Sequence, residues 1–81
     1  SARGGEMARF VLDTLRTANR PLTAREIGLR WATDNGLEPS DMTVRVLRKR
    51  AASCLRNLRD KGHVVEAGEV EDAKVWTVCQ R

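Results

Sequence analysis

Residues 44–65 read VRVLRKRAASCLRNLRDKGHVV, and two periodicities meet within them. Up to Leu58 the apolar residues recur at spacings of three and four. At 100° per residue Val44, Leu47, Ala51, Cys54, Leu55 and Leu58 fall within an arc of about 100°, the stripe by which a helix faces a core. Past Gly62 the pattern changes to Val64 and Val65, β-branched residues suited to a strand. Gly62 marks the change because glycine accepts the left-handed backbone that ends helices. The stretch therefore predicts a helix from Asp41 or Met42 to Lys61, followed at once by a strand.

The side of this helix away from the core is cationic. Seven Lys or Arg lie between Val44 and Gly62, against Asp60 alone. Arg45, Lys49, Ala52 and Arg56 fall opposite the apolar stripe, with Arg48 and Arg59 on one flank and Ser53 on the other. A solvated helix face commonly mixes signs so that residues four apart attract; like charges at that spacing cost stability, which a polyanion would relieve. The small residues Ala52 and Ser53 would let the backbone lie near a groove while longer cations reach phosphates or base edges. Thr43, Arg45, Lys49, Ser53 and Arg56 are accordingly expected to face a DNA groove, with Arg48 and Arg59 as phosphate contacts.

Upstream, two shorter helices are predicted. Met7, Phe10, Val11, Leu15 and Ala18 share one helical face over residues 6–18, and Asn19-Arg20-Pro21 stops that helix because proline cannot continue the ladder. In TARE, residues 23–26, Thr23 is placed to cap a second helix and Glu26 to complete a capping box. That helix turns Ala24, Ile27, Gly28 and Trp31 inward, and Gly28 on the inner face implies close approach to another helix. Asn35-Gly36 ends it. The following LEPSD holds Pro39, which sets an extended lead-in, and Ser40 or Asp41 as the next N-cap. This connection is longer than the three or four residues of a tight helix-turn-helix.

Downstream, Val64 to Glu66 and Val75 to Cys79 read as two strands around a polar stretch containing Gly68, a hairpin with a loop of roughly eight residues. Three helices and a terminal hairpin, with a short extended piece at Pro21 to Thr23, make a mainly α chain with a small β component, an α+β class. No composition shift marks a domain boundary, so residues 6–81 are read as one domain and residues 1–5 as a disordered tail or a cloning remnant.

This order, RPLTAREI leading into a helix, then a connection, then a long basic helix ending in RDKGHVV, resembles the winged helix-turn-helix superfamily over nearly the whole chain. It is similar to HARE-HTH domains and to several small bacterial regulators. The resemblance implies a transcription-related domain that places its third helix, residues 41–61, in the major groove of double-stranded DNA. One feature opposes direct DNA reading. The wing loop AGEVEDAK is acidic where many such wings are basic, and would repel phosphates. The alternative is a protein-interaction or dimerisation module in which the acidic wing meets a protein partner or a second copy.

Charge distribution narrows the classes further. The chain carries +4 overall; residues 1–41 sum to zero, residues 42–61 to +6 and residues 62–74 to −3, so the basic excess is one segment. Cys54, Cys79 and the single His63 are too few for a structural zinc site. The two cysteines are read as free, mostly buried thiols in a reducing cytoplasm. There is no leader-like segment and no apolar run approaching the ~18 residues of a membrane span. Trp31 and Trp76 are read as packing residues and His63 as a cap-region or surface residue. No phosphate-cradling loop, nucleophile motif or paired carboxylates stand out, so neither catalysis nor a cofactor is expected.

Overall fold

The computed structural model describes the backbone of residues 2–79 and the side chains of residues 5–79. Three helices and a three-stranded antiparallel sheet follow in the order α1 Ala2–Thr17, β1 Leu22–Thr23, α2 Ala24–Asp34, α3 Asp41–Asp60, β2 Val64–Val70 and β3 Ala73–Val78. The α+β class follows from that inventory. β3 lies in the middle of the sheet, paired on one side with β1 (Leu22 opposite Trp76) and on the other with β2 (Val64 opposite Val78).

The core forms where the apolar stripes converge. Met7, Val11 and Leu15 of α1, Ile27 of α2, Ala51, Leu55 and Leu58 of α3, and Leu22, Val64 and Trp76 of the sheet make one buried cluster. Phe10 and Trp31 meet edge to face beside it, ring centroids 5.1 Å apart. Such a pair adds roughly 1 kcal/mol to the area it buries. α1 begins at Ala2, ahead of the Glu6 start that periodicity predicts, because Arg3, Gly4 and Gly5 carry no apolar rhythm to reveal it. Residues 2–5 thus continue the helix where a tail is expected; Ser1 lies outside the described residues, as do Gln80 and Arg81.

Local signals set the helix ends. Gly36 and Gly62 both take positive φ, at 66° and 83°, and each helix closes on a pair of backbone bonds. After α2, Leu37 and Gly36 donate to the Ala32 and Thr33 carbonyls; after α3, His63 and Gly62 donate to those of Leu58 and Arg59. Both are Schellman closures, which satisfy carbonyls the helix itself leaves free. Ser40 rather than Asp41 caps α3, its Oγ accepting from the Thr43 N–H.

The capping box at α2 is complete and extended by a third partner. The Glu26 N–H donates to Thr23 Oγ1, the Thr23 N–H donates to Glu26 Oε1, and the Arg20 guanidinium donates to Glu26 Oε2. Arg20 first, helped by the Thr23 bonds, holds the Glu26 carboxyl down at about 2, from an ordinary value near 4.5, against the opposing effect of its burial. Folding lowers this pKa, so the unfolded chain binds the proton more readily and protonation favours unfolding. The stabilisation is present above pH 4.5 and is lost as pH falls towards 2. Replacing Glu26 by Ala should cost about 1 kcal/mol at neutral pH and shrink the difference between native and variant melting temperatures as pH drops through that window. A difference that stays constant across it would remove Glu26 from the acid response.

The hairpin departs from expectation. Instead of an eight-residue loop between short strands, β2 and β3 continue almost to the tip and turn on Glu71 and Asp72 alone. Both have positive φ, 52° and 67°, the signature of the type I′ turns whose twist suits two-residue hairpins. Asn and Gly usually occupy these positions, so Glu-Asp carries no turn signal. An extra residue in β2 between Glu66 and Glu69 makes a bulge, with Gly68 at φ 122°. The strand tips bury no face, so they show none of the alternation by which strands are read.

Candidate nucleic-acid interface

α3 owes its orientation to what it packs against. Leu47, Ala51, Leu55 and Leu58 are buried, Val44 and Cys54 half-buried, which is the stripe that the spacing defines. α2 lies across it with Gly28 at the crossing: a Cβ on Gly28 would stand 3.2 Å from the Arg48 nitrogen and from the Leu47 carbonyl carbon and Cβ. A Cβ there would press on the α3 backbone more tightly than ordinary contact, so the helices approach backbone to backbone.

With that stripe inward, the opposite side projects to solvent. At 100° per residue Met42, Val46, Lys49 and Ser53 lie within about 60° of one another, along the crest farthest from the core. All four are exposed, Met42 to 77% and Val46 to 47%. Arg45 and Arg56 stand on one shoulder of the crest and Arg50 on the other, all exposed. Among the described residues, Arg45, Arg48, Lys49, Arg50 and Arg56 take part in no ion pair, whereas Arg16, Arg20, Arg59 and Lys74 do. The five therefore repel one another without local relief, and their charge is open to an external anion.

Two expected contact residues are engaged elsewhere. Arg59 turns to the hairpin: its guanidinium donates to Glu66 Oε2 at 2.7 Å, lies 3.5 Å from the Asp60 carboxylate and 6.0 Å from the centre of the Trp76 ring. Glu66 also takes Lys74 at 3.4 Å, and the bond from Arg59 chiefly lowers its pKa. Thr43 is half-buried, and its Oγ1 accepts from the Ser40 hydroxyl as part of the helix cap. Ala52, read as central to the outer face, is half-buried on the side of α3 that carries Arg59. Met42, Val46 and Arg50 were not among the expected contacts, although their helical angles were available. What the sequence lacks is any mark that an apolar residue at those angles stays uncovered.

The acidic hairpin is therefore partly neutralised within the domain. Glu66 is committed to Arg59 and Lys74, while Glu69, Glu71 and Asp72 remain exposed near the tip. Cys54 lines a groove of about 590 Å³ with Met7, Trp31 and Leu58. Burial there raises its thiol pKa, with Lys61 opposing, so its thiolate is disfavoured. Cys79, expected to be mostly buried, is exposed just beyond β3, where its N–H donates to the His63 carbonyl and its side chain has passed the end of the sheet. Both cysteines are free.

Among the described residues no group of three His, Cys, Asp or Glu is arranged to hold a metal ion, and no helix is long and apolar enough to cross a membrane. The class defined by fold and site is a small α+β domain with an exposed, unpaired cationic helix face. No family model, curated protein or solved structure matches the chain.

Proposed function

We propose that this chain is a winged helix-turn-helix domain that binds double-stranded DNA, with α3 lying in the major groove and β2–β3 as the wing, in a transcription-related role. The observation that carries this reading is the set of five exposed cations on α3 that have no acidic partner among the described residues. A helix of this width fits the major groove, and cations on both shoulders of its crest would meet phosphates on either side. The β1-β3-β2 sheet packed behind α2 and α3 is consistent with the winged arrangement. Arg45, Arg48, Lys49, Arg50 and Arg56 supply about five phosphate contacts, so the logarithm of the binding constant should fall with the logarithm of salt concentration at a slope of about −4 to −5.

A second reading, a protein-interaction or dimerisation module, draws on Glu69, Glu71 and Asp72 at the hairpin tip and on Val65 and Val70, which are 41% and 55% exposed. One titration separates the two. Mixed-sequence duplex added near 150 mM salt should shift amide resonances of α3 and leave the hairpin tip unmoved, with the stated salt slope. Absence of any shift at α3 would abandon the DNA reading in favour of the protein module.

A further inference from the structure

The crest of α3 is not uniformly cationic. Its first turns present Met42 and Val46, four residues apart on one face, both exposed, and only then Lys49 and Ser53. An apolar pair at the most protruding part of a helix is unexplained by folding, since neither side chain helps to close the core. It is equally unexplained by phosphate binding. Self-association through this face is disfavoured by charge, because Arg45, Lys49 and Arg50 surround the pair and a second copy would bring the same cations against them. The partner that fits must offer negative charge at the shoulders and apolar groups at the crest.

Duplex DNA offers that combination in one place. Phosphates border the major groove, and the C5-methyl of thymine is the apolar group exposed on its floor. The rise from Met42 to Val46 is about 6 Å, close to two base-pair steps of roughly 3.4 Å each. We infer that Met42 and Val46 read thymine methyl groups in the major groove, so that the domain selects sites carrying thymines about two steps apart over the same sites without the methyls. The inference rests on the DNA-binding reading and adds its sequence preference.

Uracil lacks only the C5-methyl of thymine and leaves pairing and phosphates intact. A duplex first enriched from a randomised pool on the native domain would be compared with copies in which single thymines are replaced by uracil. Burying one methyl is worth roughly three- to fourfold in affinity, so two contacted positions should each show that loss and together about tenfold. The M42A/V46A variant should bind the thymine duplex as weakly as the native domain binds the doubly substituted one, and should not distinguish the two. Both side chains are exposed, so the variant keeps the fold; its circular dichroism and melting curve check that directly. Tight binding with no uracil-sensitive position, or discrimination that survives in M42A/V46A, overturns the methyl readout and leaves DNA binding standing. Failure of the native domain to bind any duplex overturns both and passes the crest to an acidic, apolar protein partner.

Discussion

Replacing Arg45, Lys49 and Arg56 together by alanine should weaken duplex binding on the order of a hundredfold near 150 mM salt and flatten the salt slope by about three. All three are exposed and outside any ion pair among the described residues, so their loss removes no internal contact. Stability should hold or rise slightly as the like-charge repulsion along α3 is relieved. Fluorescence anisotropy over a salt series, with the melting temperature measured in parallel, separates the two effects. Affinity and slope both unchanged in a folded variant would strip this face of its assigned role. The comparison with Arg59→Ala is instructive: Arg59 is held by Glu66, so its removal should disturb hairpin packing more than binding.

The largest effect on stability is expected from Gly28→Val. Any Cβ at this position meets the α3 backbone at 3.2 Å, and valine adds two methyls beyond it. A long side chain could swing aside, but the Leu47 and Arg48 peptide belongs to the hydrogen-bonded backbone of α3, which Ala51, Leu55 and Leu58 anchor in the core, so relief requires moving α3 as a body. Overpacking of this kind, only partly offset by the better helix propensity of valine over glycine, should cost about 3 kcal/mol, a fall in melting temperature of roughly 15 °C for a domain of this size. Gly5→Ala provides the opposite case. Nothing stands within 4 Å of its added Cβ, and alanine at that helical position should stabilise by about 0.5–1 kcal/mol. If both substitutions behaved alike, helix propensity rather than the α2–α3 crossing would govern Gly28. The same crossing sets how far α3 projects, so a folded Gly28 variant would also test whether α3's position matters for binding.

Much of this architecture was legible because its determinants are local. The 3.6-residue rhythm of α3 identified the buried residues Leu47, Ala51, Leu55 and Leu58, and Thr23 with Glu26 announced the start of α2 three residues apart. Gly36 and Gly62 marked the helix ends through a backbone conformation that glycine tolerates best. Gly28 signalled a close helix crossing by its place on an apolar face. The hairpin tip was not legible, since Glu71 and Asp72 take a turn conformation usually given to other residues and the strand ends beside them bury nothing.

For the candidate interface the division is sharper. Sequence alone determined that α3 would carry a cationic side with Asp60 as its one acid past Val44, because relative angles around a helix follow from spacing. Only the tertiary structure decided which of those cations are available. Arg59 and Glu66 are brought together by the turn at Gly62 and the path of β2, and the hairpin packing beside α3 half-covers that side of the helix. Likewise Met42 and Val46 have the spacing of a buried pair and remain exposed, because α1, α2 and the sheet all pack on the far side of α3. Periodicity fixes where side chains point relative to one another; what covers them depends on elements distant in the chain.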